Sequence, residues 1–199
     1  MNSSDPIAEP NAFDLESRVD SADTTLHSQR CAVIALGSNL GNRLDTLQGA
    51  VDALADTPGL KIKAVSAVYE TEAVGGPEEQ PNYYNAVVVL RTSLPPRDLL
   101  ERGNAIEDAF GRVREVRWGA RTLDVDILTY EGVLSEDPQL LLPHPRSHER
   151  AFVLAPWLDA QPEAEVPGHG QVAALLAALG GPDAQGVKRR DDIRLTLPE

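Results

Sequence analysis

LKIKAVSAVYETEAVGGPEEQPNYYNAVVVLRT, residues 60–92, holds two strand patterns with no helical pattern between them. Residues 60–70 alternate, which puts Leu60, Ile62, Ala64, Ser66 and Val68 on one face of a half-exposed strand. Residues 71–82 carry Gly75-Gly76-Pro77 and read as a loop. Residues 83–92 form another strand, rich in the β-branched side chains that suit a pleated surface. Parallel neighbours need a long crossover, usually a helix. A direct strand-to-strand step therefore favours an antiparallel pair and counts against a doubly wound parallel sheet.

Working outward, CAVIALG (31–37) is a short apolar run and reads as a buried strand. GSNLGN (37–42) follows as a turn. Leu44, Leu47, Val51 and Leu54 then recur on one helix face, with Asn42 as N-cap and Asp45 three residues on. Pro58-Gly59 ends that helix. Downstream, Ser93 is the expected cap of a second helix with Pro95 or Pro96 at its start. Leu99, Ile106 and Phe110 lie near one stripe of it, and Gly103 weakens it modestly. Gly111 through Gly119 is a polar, basic loop, and RTLDVDILTY (121–130) is a fourth strand. Further helices are expected around 147–158 and 170–180. The order strand, helix, strand, strand, helix, strand is the ferredoxin-like βαββαβ pattern. The expected fold is α+β: a mostly antiparallel sheet with helices on one face and peripheral C-terminal helices.

Composition sets the outer limits. The 199 residues suit one domain. Residues 1–30 are polar and acidic without a period and read as a disordered arm. Residues 31–186 are the domain, and 187–199 a C-terminal tail. The net charge of −13 argues against nucleic acid as a partner, because duplex binding needs a broad basic face. The single cysteine, Cys31, cannot make an internal disulfide and opens an apolar run, so it reads as core filler in a reducing, cytoplasmic protein. The sequence shows neither a membrane-length apolar run nor a signal-peptide pattern, and a monomer is expected.

The chemistry concentrates at 111–128. Asp124 and Asp126 share one face of a strand, with Leu123, Val125 and Ile127 on the other. Two carboxylates side by side repel, so something positive must compensate. Magnesium is one candidate, since it takes one or two carboxylates plus substrate phosphates. A salt-bridged strand face is the plainer alternative. Arg112, Arg114, Arg117 and Arg121 lie just upstream, and guanidinium forks match phosphate oxygens. Together these are the parts that phosphoryl transfer needs, although a solvated basic loop pairing with acidic neighbours remains open. GSNLG lacks the ending of a phosphate loop and reads as tight-turn chemistry. Tyr83 and Asn85 share a face of their strand. An amide there either completes a structural hydrogen bond or matches the edge of a heterocycle. His144 lies between two prolines near Arg146, His148 and Arg150, where it contacts phosphate or is simply surface. The irregular histidine spacing, without cysteine, is wrong for zinc.

Several motifs then fall in one order: IALGSNLG (34–41), YETEAVGG (69–76), QPNYYNAV (80–87), Glu107 with Gly111-Arg112-Val113-Arg114, RWGARTLDVDIL (117–128), LPHP (142–145) and HERAFVLAP (148–156). On these residues, from about Cys31 to Leu179, the chain resembles the hydroxymethyldihydropterin pyrophosphokinases of folate biosynthesis. The resemblance implies a ferredoxin-like fold and transfer of a diphosphate from ATP to 6-hydroxymethyl-7,8-dihydropterin, with AMP leaving. It implies that Asp124 and Asp126 hold two Mg2+ ions bound with ATP. Tyr83, Asn85 and backbone groups of Thr71 and Val74 would contact the pterin, and Phe152 would stack on it opposite Tyr83. Arg112, Arg114, Arg117 and Arg121, with His144 and Arg150, would handle the triphosphate. Asn104, Glu107 and Ile127 would line the nucleotide side, and Trp118 belongs to a mobile catalytic lid. Ala73, where proline is common, Asn104, where a glutamine contacts nucleotide, and Leu141, which replaces a polar contact, depart from the pattern. A non-catalytic interaction domain and another D-x-D transferase are the competing readings. The first does not explain why Asp124, Asp126, Tyr83 and Asn85 fit one site.

Overall fold

The computed structural model describes residues 29–72, 80–111 and 122–198. Residues 1–28 of the expected arm (1–30) and most of the arginine loop lie outside them. The chain opens with β1 (Arg30–Ser38) and α1 (Arg43–Ala55). The Asn42 side chain accepts the Asp45 N–H at the start of α1, as the cap pattern requires. Leu47, Val51 and Leu54 are buried along the expected face. Next come β2 (Leu60–Val65), β3 (Val68–Thr71), β4 (Tyr83–Thr92), α2 (Pro96–Ala109) and β5 (Asp124–Tyr130). A β6–β7 hairpin (Ser135–Asp137, Leu140–Leu142), α3 (Ala151–Ala160), a β8–β9 hairpin (Glu165–Val166, Gly170–Gln171), α4 (Val172–Ala178) and β10 (Lys188–Arg190) complete it. The main sheet runs β10-β3-β4-β1-β5 with β2 also on β4, and the described pairs are antiparallel. Taking β2 and β3 as one interrupted strand, this is the ferredoxin-like order.

The interruption corrects the alternation expected over 60–70. Register shifts between Ile62 and Ala64, and the ladder breaks at Ser66-Ala67. Ser66 bridges the break: its N–H donates to Val87 O (3.0 Å) and its Oγ accepts the Val87 N–H (2.9 Å). Each extra residue exchanges the faces. Leu60, Ile62, Val65 and Val68 therefore meet one core, while Ala64, Ala67 and Tyr69 meet another.

Two cores also correct the expectation of helices on one face. α1 and α2 cover one side, against Ile34, Leu36, Val88 and Leu90. α3 and α4 cover the other, against Val33, Val87, Val89 and Leu128, so the C-terminal helices are not peripheral. β4 is buried from Tyr84 through Leu90 without alternation, the mark of a strand covered on both faces. Ser93 does not cap α2. Pro95 is the N-cap and Pro96 the first helical residue, which has no N–H to satisfy. Gly103 lets α2 approach β5 closely, since a Cβ there would lie 3.2 Å from Val125 Cγ1. The segment after Gly186 is not a detached tail: β10 pairs with β3, and Ile193 and Leu195 pack on the first core.

Candidate active site

Pairing register assembles the site. Gly37, near the end of β1, faces Asn85 on β4 and Asp124 on β5. A Cβ on Gly37 would stand 3.4 Å from Asn85 Oδ1, 3.8 Å from Asp124 Cβ and 3.8 Å from Tyr83 Cδ1. An amide, a carboxylate and an aromatic ring thus converge over one bare glycine. Two strand spacings of ~4.8 Å separate the Asn85 and Asp124 backbones, about 10 Å in all. Asp126 lies two residues beyond Asp124 on the same face, while Val125 points into the first core. Along this face α3 covers Val33, Val87, Val89 and Leu128. Its N-terminus holds Arg150 and Phe152, whose guanidinium carbon and ring centroid are 5.5 Å apart.

The polar groups are held from behind. Asn85 is 7% exposed, and its Nδ2 donates to Thr71 Oγ1 at 3.0 Å, which fixes the amide. Thr71 thus contributes its side chain to holding Asn85, a role the sequence did not indicate. The GSNLG turn buries Ser38 and Asn39, and the Asn39 amide reaches Pro81 O (3.3 Å) ahead of Tyr83. His144 is strapped to the end of β5 by its own N–H, which donates to Leu128 O at 2.8 Å. Burial pushes its imidazole below the ordinary histidine value, Arg150 and Arg146 push the same way, and Asp124 opposes them. Burial likewise lowers Arg150, together with Arg146, against the pull of Asp126 and Asp124. His144 and Arg150 thus both lie within reach of the charges of Arg146 and Asp124, and Arg150 also of Asp126.

Two expected nucleotide-side residues face the other way from the aspartates. Ile127 points into the first core. Glu107 on α2 is 2% exposed, and its Oε1 accepts the Val125 N–H at 2.8 Å. Both side chains lie across the strand from the aspartate face. Asn104 is exposed one turn earlier on α2, and Leu141 is partly exposed on β7. Arg112, Arg114, Arg117, Trp118 and Arg121, with Val74 and Ala73, lie outside the described residues. Sequence reasoning took Gly37 for a turn residue and missed the support role of Glu107. Neither sequence period nor motif spacing encodes a cross-strand register or a helix-to-strand bond.

The sequence profile of the 7,8-dihydro-6-hydroxymethylpterin-pyrophosphokinase (HPPK) family matches residues 33–162. This chain belongs to that family. It is 44% identical over 158 residues to the 2-amino-4-hydroxy-6-hydroxymethyldihydropteridine pyrophosphokinase of Methylorubrum extorquens, covering 79% of this chain and 97% of that one. It is 49% identical over 125 residues to the protein of that name from Bacillus subtilis, covering 63% and 74%. Among solved structures, wild-type HPPK-DHPS of Plasmodium falciparum superposes with a TM-score of 0.59 at 17% identity, over 81% of this chain and 48% of that one. The chain thus spans about half of that larger protein, and at this identity the likeness is one of fold.

The donor set suits magnesium. Asp124 and Asp126 offer hard carboxylate oxygens on a half-exposed face. A carboxylate pair of this kind suits an ion completed by substrate phosphates and water.

Proposed function

We infer that the chain transfers the diphosphate of ATP to the hydroxymethyl oxygen of 6-hydroxymethyl-7,8-dihydropterin, giving AMP and the pterin diphosphate for folate biosynthesis. The observation that carries this reading is the Asp124–Gly37–Asn85 row in a chain of this family. It sets a carboxylate pair beside a fixed amide on one open face. The hydroxymethyl oxygen attacks the β-phosphorus, the bond from that phosphorus to the α-phosphate oxygen breaks, and the hydroxyl proton is released.

Asn85 presents donor and acceptor groups to the pterin edge, held by Thr71, and Tyr83 and Phe152 sandwich the ring. Val74 adds a backbone contact. Asp124 and Asp126 would hold two Mg2+ ions bound with ATP, which would supply positive charge to the phosphate oxygens. His144, strapped to β5, and Arg150, the N-cap of α3, meet the triphosphate. Arg112, Arg114, Arg117 and Arg121 enter through the sequence motif, as does Trp118 as part of a lid, and Asn104 serves the nucleotide. Glu107 and Ile127 line the nucleotide side, and Glu107 also holds β5 through the Val125 N–H. A cytoplasmic monomer completes the reading. Among the described residues, no helix is long and apolar enough to cross a membrane.

The test is product analysis. With ATP, Mg2+ and 6-hydroxymethyl-7,8-dihydropterin, AMP and a pterin diphosphate form in equal amounts. ADP in place of AMP, or AMP independent of the pterin, refutes the assignment.

A further inference from the structure

We infer that the C-terminal strand is a positioning element of the pterin pocket, acting through Arg190 on the carboxylate of Glu70. The inference rests on the pterin placement proposed above. Lys188 pairs with Glu70, Arg189 with Tyr69 and Arg190 with Val68, so β10 flanks the short strand that ends in Thr71. Arg190 donates to Glu70 Oε2 (2.7 Å) and to the Tyr84 hydroxyl (2.8 Å), and Asp192 holds the other edge of its guanidinium. Glu70 Oε1 accepts from Arg43 at 3.2 Å. Arg43 also donates to Asn82 O (2.7 Å) and lies over the Tyr84 ring at 3.8 Å.

The result is a bridge from the C-terminal strand to the backbone carbonyl just before Tyr83. Its members alternate with the pocket residues. Glu70 precedes Thr71, Tyr84 lies between Tyr83 and Asn85, and Asn82 precedes Tyr83. Because strand side chains alternate, the bridge occupies the first face while Tyr83, Asn85 and Thr71 serve the second. The bridge is half-buried: the Arg43, Glu70 and Arg190 side chains are 24%, 22% and 27% exposed. Burial alone would raise the Glu70 carboxyl, yet hydrogen bonds from Arg190 and Arg43 hold it below its ordinary value. β10 lies four strand positions from β5, about 19 Å at ~4.8 Å per strand. Its loss therefore reaches the pterin contacts on β3 and β4 before it reaches Asp124 and Asp126.

The test uses the full chain with Arg190→Ala, Arg190→Lys and Glu70→Gln, and with Asn85→Ala as control. Initial rates give separate KM values for pterin and ATP, and melting temperature is recorded for each. Arg190→Ala and Glu70→Gln should raise the pterin KM about tenfold, below the ~100-fold of a 1 Å misplacement at the reacting atoms. The ATP KM and kcat should stay within about twofold. Arg190→Lys keeps one charged donor and should recover part of the pterin KM. A pterin KM unchanged in Arg190→Ala and Glu70→Gln, with or without a lower melting temperature, overturns the inference and leaves the bridge a stability element. Equal damage to both KM values also overturns it. If Asn85→Ala itself leaves the pterin KM unchanged, the pterin placement fails and the inference with it.

Discussion

Glu107 gives the sharpest test of how the aspartate strand is held. β5 is last in the sheet order, and the Val125 N–H, between Asp124 and Asp126, donates to Glu107 Oε1 at 2.8 Å. Glu107→Leu keeps the volume roughly constant and removes the acceptor. A buried N–H left without its partner costs about 1–3 kcal/mol. At ~2–4 °C per kcal/mol for a chain of this size, the melting temperature should fall by roughly 2–12 °C. Glu107→Gln retains an acceptor oxygen for the Val125 N–H, so its stability should stay closer to the parent's than that of Glu107→Leu. The assay is urea unfolding, read as the midpoint at constant m-value, alongside turnover over a magnesium titration. Glu107→Leu should need more Mg2+ for half-maximal turnover, because the Asp124–Asp126 geometry loosens. A Leu variant as stable as the parent would refute the bond's structural weight. A fully stable Gln variant with a tenfold higher ATP KM would show instead that the carboxylate charge serves the nucleotide directly.

Three further outcomes follow from the site. Asp124→Ala or Asp126→Ala should abolish AMP formation and shift melting by no more than a few degrees, because both side chains are only half-buried and their mutual repulsion is relieved; an unfolded variant would make the pair structural. Gly37→Ala places a methyl group 3.4 Å from Asn85 Oδ1 and 3.8 Å from Asp124 Cβ, and should weaken pterin binding without destabilising the sheet; unchanged pterin affinity would mean that the ligand does not use this cradle. His144 is depressed when folded, by burial first, so the unfolded chain binds its proton more readily; stability from this group is complete above the ordinary histidine value of ~6.5 and is lost as pH falls through and below it. Urea midpoints at pH 5 and 7.5 should therefore differ less in His144→Gln than in the parent, and an equal difference would contradict the assignment.

Local rules carried much of this in the sequence. Period-2 alternation sets Asp124 with Asp126, and Tyr83 with Asn85, on shared faces, and both assignments hold in the structure. The βαββαβ order was equally legible, because each element is long enough to show its own period. The second helical layer also had a signal, the five consecutive apolar residues Ala86–Leu90, which one buried face does not require. β10 had none: Lys188-Arg189-Arg190 has the composition of a solvated end and becomes a strand only by pairing with β3. The Ser66 break was invisible for a similar reason, since a bulge depends on what the partner strand needs opposite it.

The position of the site follows from where the second layer stops. On the second face, β1, β4 and β5 change from Val33, Val87, Val89 and Leu128 to Gly37, Asn85, Asp124 and Asp126. The first set is apolar and needs a cover, which α3 supplies. The second set is polar, and an apolar helix laid over it would take two carboxylates and an amide out of water at a cost. The order of residues along three strands therefore decides both how far α3 extends and which end of the sheet remains open. At the boundary stand Arg150 and Phe152, a cation and a ring at the start of the covering helix. The same strands that build the second core thus leave the aspartate pair and the fixed amide together at one open end of the sheet, beside that cation and ring.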